Sequence, residues 1–234
     1  MRKSVKSVIS SLVLLIPALS FAQTSVLSRV IARTDKQLSP SINVVAELPA
    51  VPAVSAPAAV AEEQQSALSK SDYFPLNKRL VLVYRYTSSE FSGAKTIRVE
   101  QLRYFPKDNA ATFMRTTYYN GTSYNEVYGA HANQSGVYSV NGLLGGDRME
   151  FSLPERVGST WRKDSNGSTI ESLSARVGVP AGDFSNCLKV TTELGGGDAG
   201  ISERYYAPGI GLVYENVAGE AARETLKLVS YAIQ

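Results

Sequence analysis

From Tyr73 to the C-terminus the chain alternates polar and apolar residues with a period of two, and Gly or Asn interrupts the pattern every ten residues or so. In "RLVLVYRYT", Leu80, Leu82, Tyr84 and Tyr86 fall on one face, with Arg79, Val81, Val83 and Arg85 on the other. "KTIRVEQLRYF" sets Ile97, Val99 and Phe105 against Arg98 and Glu100. Such alternation marks strands with one buried face. Two strands flank Asn120-Gly121, a pair suited to a two-residue hairpin turn in which both positions need positive φ. Asn141-Gly142 and Asn166-Gly167 repeat the signal. No long amphipathic helix follows Tyr73, which argues against a parallel βαβ sheet. The expected architecture is all-β and mainly antiparallel, a single curved sheet or half-open barrel of about ten strands. A closed barrel and a sandwich fit the same alternation.

The N-terminus has a different character. Arg2, Lys3 and Lys6 precede an apolar run from Val8 to Leu19, and Ser20 and Ala22 are small residues placed for cleavage after Ala22. This is the pattern of a secretory signal. The run is 12 residues long, short of the roughly 20 needed to span a bilayer. Gln23 follows the predicted cut, where a lipoprotein would carry a cysteine. The expected organisation is therefore a signal peptide over 1–22, a disordered linker over 23–71 and an antiparallel β domain over 72–234. The linker contains Pro40, Pro49, Pro52 and Pro57, many alanines and no aromatic residue, a composition that buries little apolar surface. Within it Ala58–Lys70 is rich in helix formers.

Export changes the charge argument. The chain has 24 basic and 21 acidic residues, and residues 1–22 hold three of the basic ones and no acidic one, so the remainder is 21 against 21. No global positive field is left to attract nucleic acid. The sequence predicts a periplasmic or secreted protein, not an integral membrane protein after cleavage. The single Cys allows no internal disulfide, so the fold must rest on its core.

Four stretches carry a resemblance to a known group: "YFPL" (73–76), "LPERVGSTW" (153–161), "VPAGDFSNCLKV" (179–190) and "YYAPGIGLVYE" (205–215). Here the chain resembles bacterial exported β-domains of unknown function. That group is similar to the LolA/LolB-like lipoprotein-carrier superfamily, whose fold is a curved antiparallel sheet enclosing an apolar cavity. The resemblance implies a fold and a carrier-like role; it carries over no catalytic residues.

Catalytic constellations are sparse. Cys187 lacks the cations or histidine that lower a thiol pKa; only Lys189 shares its predicted strand face, so it reads as a packing residue at a strand start. His131, in a polar loop-like segment, is the only histidine, and no G-x-S-x-G elbow occurs to pair with it. One His and one Cys do not make a zinc site. "GGGDAG" (195–200), and Asp147 with Glu150, fall short of a calcium ligand set. Glu100, Glu126, Glu150 and Glu171 read as solvated outer-face carboxylates. The expectation is a protein without enzymatic activity or cofactor.

Tyrosine is the positive signal. All 13 tyrosines lie at or beyond Tyr73. Tyrosine suits strands and pairs an apolar body with a polar tip. Tyr84, Tyr86, Tyr118, Tyr124 and Tyr128 are the predicted ligand-contacting residues on an aromatic strand face. The expected function is binding or carrying an apolar or amphiphilic ligand in the cell envelope, with a lipid, a glycan or an envelope protein as partner. A structural, protein-interaction domain without a small ligand is the alternative.

Overall fold

The computed structural model describes residues 71–196, 199–220 and 222–234. The predicted signal peptide, the cleavage site at Ala22 and almost all of the predicted linker lie outside the described residues, as do Gly197 and Asp198 of the glycine-rich tip. Among the described residues there is no helix, hence none long and apolar enough to cross a membrane.

The fold is all-β and antiparallel. Its strands are β1 (Leu80–Ser88), β2 (Lys95–Phe105), β3 (Ala110–Tyr119), β4 (Thr122–Ala132), β5 (Gly136–Val140), β6 (Arg148–Ser152), β7 (Thr160–Lys163), β8 (Asn166–Val179), β9 (Gly182–Leu194), β10 (Gly200–Ala207), β11 (Gly211–Gly219) and β12 (Arg223–Ile233). They form one 12-stranded sheet in the order β6-β5-β4-β3-β2-β1-β12-β11-β10-β9-β8-β7. Two meanders thus meet where β1 pairs with β12, and β6 and β7 are the two edges. The twist of so many strands curls the sheet. It closes far enough for β6 side chains to touch β10 and β11: Phe151 stands edge-on to Tyr206, centroids 5.1 Å apart.

Turn chemistry follows the sequence where the loops are shortest. Asn120 and Gly121 have φ of 50° and 77°, both positive as a type I′ turn requires. Pro208 and Gly209 form the turn closed by Ile210 N–H donating to the Ala207 carbonyl, 3.2 Å; φ at Gly209 is 75°, the value a type II turn needs at its third residue. Pro180 and Ala181 form the two-residue loop between paired Val179 and Gly182. The Asn166-Gly167 signal is displaced: Lys163 pairs with Asn166, so the loop is Asp164-Ser165, with φ of 55° at Asp164. The Asn166 side chain instead accepts from the Gly195 amide, 3.0 Å, tying two neighbouring turns together.

Bulges correct the simple alternation. Between Gln101 and Arg103 the β2–β3 register skips Leu102. Tyr104, opposite buried Ala111, therefore turns inward, and Phe105 does not share the face of Ile97 and Val99. The other skips that matter most here are at Glu150 on β6 and Val213 on β11.

The four stretches that carry the family resemblance converge at one end of the sheet. The Gly209 amide donates to the Asp72 carbonyl (2.7 Å) and Ala181 to that of Leu228 (3.1 Å). The Tyr73 hydroxyl donates to the Leu173 carbonyl, 3.4 Å, and the Ser71 hydroxyl to Glu155, 2.5 Å. Leu76 is buried in the core, and its carbonyl accepts from Gln101. These segments plug the end of the curled sheet, so their Pro and Gly residues serve closure of the fold.

Candidate functional site

Register lays out the inner face of β7–β11 as successive rows. Leu188, Tyr206 and Leu212 pair across β9–β11 nearest the plugged end. Next come Ile170, Val190, Arg204, Glu215 and Leu226 on β8–β12. The third row is Trp161, Ser168, Thr192, Ser202 and Val217 on β7–β11. An apolar floor thus grades through a pair of charges into a trough of small hydroxyl side chains, with the sole tryptophan at its rim.

Edge strand β6 presses on the middle row. Its bulge leaves Glu150 without a ladder partner, while Arg148 pairs with Ser139 and Phe151 with Val137. A bulge re-aims side chains, and here Arg148, Glu150 and Phe151 all face the interior. Arg148 holds Glu215 through both terminal nitrogens, 2.7 and 3.1 Å, and its Nε lies 2.9 Å from both oxygens of Glu150. Glu150 also accepts from the Tyr206 hydroxyl (2.6 Å) and the Ser139 hydroxyl (2.5 Å). Arg204 adds an ion pair to Glu150 at 3.6 Å and donates to the Thr192 hydroxyl at 2.8 Å; Ser168 bonds Thr192 at 2.8 Å. Two arginines thus balance two carboxylates. Glu150 and Arg204 are 3 % and 4 % exposed, whereas Arg148 reaches the surface at 25 %. Buried charge persists only when paired and hydrogen-bonded. Burial alone would raise the Glu150 carboxyl, but Arg148, Arg204 and the bonds from Arg148 and Ser139 outweigh it and hold the group below its ordinary range. Burial raises the Tyr206 phenol well above its usual value, so it acts as a hydrogen-bond donor.

Two cavities meet at Arg148. Toward the plugged end lies an apolar cavity of about 50 Å³, with Phe74, Leu82, Tyr84, Phe113 and Leu212 in its wall and Arg148 and Glu150 at its polar side. Above, between β6 and the hydroxyl trough, an open cleft of about 270 Å³ is lined by Arg148, Trp161, Lys163, Ser202 and Arg204 among others. Lys163 bridges the seam by donating to the Asp147 carbonyl. The smaller cavity has room for water but falls below the roughly 300–1,000 Å³ of drug-sized ligand sites; the open cleft approaches that range.

The five predicted tyrosines do not form one surface. Tyr84 and Tyr128 are core residues; the Tyr84 hydroxyl donates to the Leu212 carbonyl, 2.8 Å, and Tyr128 stacks on Phe113 at 5.0 Å. Tyr86 and Tyr124 border a separate opening with Lys95, Arg115 and Glu126. Tyr118, 45 % exposed, pairs with Ser123 on the opposite face from Thr117 and Tyr124.

Other candidates change place. Glu150 is not a solvated outer-face carboxylate, because the β6 bulge turns it inward. Glu126 is partly exposed and pairs with buried Arg115 at 2.6 Å. Cys187 lies within β9, not at its start, and is fully buried; burial raises its thiol to about 11. His131 is in strand β4, not a loop, stacked on Tyr138 at 5.1 Å, and burial lowers its pKa. Asp147 accepts from the Asn141 amide, 2.9 Å. Among the described residues no group of three or more His, Cys, Asp or Glu side chains is placed to hold a metal.

No protein-family profile and no curated protein sequence matches the chain. Solved structures do. The chain is similar to a provisionally assigned exported protein with a YmcC-like fold from Bacteroides fragilis NCTC 9343, at TM-score 0.50 and 14% identity over 68% of this chain and 98% of that one. It also matches a provisionally assigned lipoprotein from Parabacteroides distasonis ATCC 8503, at TM-score 0.49 and 13% identity over 68% and 98%. A domain of a provisionally assigned outer-membrane lipoprotein-sorting protein from Vibrio parahaemolyticus matches at TM-score 0.29 and 8% identity over 74% and 90%. The Bacteroides fragilis likeness shows the fold, and at that level the resemblance to exported β-domains holds.

Proposed function

We propose that this chain is an exported β-domain of the bacterial cell envelope that binds an amphiphilic ligand without chemically transforming it. The N-terminal signal pattern and the exported protein of the same fold support the placement. One observation carries the binding reading: an open cleft of mixed lining, with charged and hydroxyl side chains, and an apolar cavity share Arg148 as their common wall. A ligand with a polar head in the cleft and an apolar end directed past Arg148 toward the apolar cavity matches that gradient. The small interior volume argues for partial enclosure, with the ligand held at the seam between β6 and β7.

The sole tryptophan, Trp161, lines the cleft and reports on it directly. Titrating the purified protein with amphiphiles below their micelle concentrations is expected to shift Trp161 emission saturably. Absence of saturable binding for every amphiphile tried would overturn the reading. It would leave the non-ligand alternative, an interaction domain, favoured by how fully the interior is packed. Recovery of cross-linked partners from intact cells would test that alternative.

A further inference from the structure

We propose that the head group held in the seam cleft is a neutral carbohydrate; this rests on the cleft being the binding site, as argued above. The charges lining it are three basic (Arg148, Lys163, Arg204) and three acidic (Asp147, Asp164, Glu215). Both arginines are already engaged by Glu150 or Glu215, and Lys163 donates to a backbone carbonyl. A phosphate or carboxylate head would therefore enter a site of balanced charge in which both guanidinium groups already pair with carboxylates, and would lose its hydration for little return.

A polyol meets a different surface. In the cross-strand row Ser168, Thr192 and Ser202, the first two hydroxyls bond each other and Thr192 also accepts from Arg204, so Ser202 and the remaining donor and acceptor capacity of the other two face a ligand. Their small side chains are also why the trough is open. Trp161, directly opposite Ser168, offers an apolar ring face at one end of the row. A sugar has the matching combination: hydroxyls around its edge and a patch of C–H groups on its face. A second observation points to a ligand with a hydrogen-bond acceptor. The Nε of Arg204 is buried and has no hydrogen-bond partner among the described residues, while its terminal nitrogens are satisfied within the cluster. A buried donor left unpaired is costly, and the Arg204 side chain lines the cleft. A sugar hydroxyl that reaches this atom as the cleft wall shifts on binding supplies the missing acceptor.

The test compares two amphiphiles with the same tail, n-dodecyl-β-D-maltoside and n-dodecyl-N,N-dimethylamine N-oxide, below micelle formation, together with free maltose, lactose and N,N′-diacetylchitobiose. The maltoside and at least one free disaccharide are expected to shift Trp161 emission saturably, the amine oxide much less. By calorimetry, Trp161→Ala is expected to weaken maltoside binding by about tenfold, the loss of one aromatic contact, and to leave the amine oxide unaffected. Ser202→Val, which fills the trough, gives a second readout if Trp161→Ala does not fold. Equal binding of both amphiphiles with no disaccharide binding overturns the carbohydrate assignment and leaves the amphiphile reading standing. No binding of any probe overturns both.

Discussion

Arg148 on β6 grips Glu215 on β11 with two hydrogen bonds of 2.7 and 3.1 Å, although six strands separate β6 from β11 in the sheet order. This contact joins the Tyr206–Glu150 bond, the Arg204–Glu150 ion pair and the Lys163 bond to the Asp147 carbonyl in closing the curl, since β6 and β7 are not hydrogen-bonded neighbours. Replacing Arg148 by Met is expected to destabilise the fold by about 3–5 kcal/mol, because Glu150 and Glu215 lose their shared partner while remaining buried. Urea unfolding measures it. A double-mutant cycle with Glu215→Gln should show strong non-additivity; additive losses would mean that the grip contributes nothing to closure.

The charge cluster also sets an acid limit. Glu150 in the folded protein lies below its ordinary value of 4.5, so the unfolded chain binds its proton more readily. The carboxylate therefore stabilises the fold fully above about pH 4.5, and the contribution is lost as pH falls through the depressed folded value. Urea midpoints measured from pH 7 to pH 3 should fall on the acid side, and Glu150→Gln should flatten that limb. An unchanged slope in the variant would assign the acid sensitivity to other groups.

Cys187 is expected to be inert while the protein is folded. Its side chain is fully buried, and burial raises the thiol to about 11, leaving little thiolate at neutral pH. A thiol-reactive dye at pH 7.5 should label the protein only in denaturant. Rapid labelling of the folded protein would show that the β8–β9 hairpin opens.

Two glycines should respond differently to alanine. At Gly136 an added Cβ would lie 2.6 Å from the Phe151 carbonyl oxygen, at the β5–β6 bulge that orients Glu150. Gly136→Ala is expected to cost about 1–3 kcal/mol through overpacking and to disturb the charge cluster. At Gly209 the difficulty is the positive φ of 75°, and the nearest atom to an added Cβ is the mobile Lys78 Nζ at 3.1 Å. Gly209→Ala is expected to cost about 1 kcal/mol. Thermal melts of the two variants give the comparison, and the larger loss at Gly209 would contradict it.

Local chemistry made much of the domain legible in advance. The alternation of Leu80, Leu82, Tyr84 and Tyr86 specified a strand, and Asn120-Gly121 specified its turn, because side-chain period and turn dihedrals depend on neighbouring residues only. The turns at Pro180 and Pro208-Gly209 are local in the same sense, and the sparse cations around Cys187 read it as packing. The candidate site was not legible. In "RMEFS", strict alternation sets Arg148 and Glu150 against Phe151, and nothing local reveals that a bulge at Glu150 turns all three inward. Arg204 and Glu215 look like ordinary polar members of alternating strands. A hint lay in Arg204 sharing its face with Ser202 and Tyr206, but the parity of "GISERYYA" does not say which face is inside.

By itself, then, the sequence determined most of the strands, the turns at Asn120-Gly121 and at the Pro-Gly corners, and the antiparallel meander, since each follows from contacts within a few residues. Only the tertiary structure decided which faces turn inward, where the bulges fall, and that β6 comes to rest on β10 and β11. Those outcomes depend on how a 12-stranded sheet accumulates twist and curl until residues far apart in the chain meet. It is that closure which turns Arg148, Glu150, Arg204 and Glu215 from surface-like charges into the wall between a polar cleft and an apolar core.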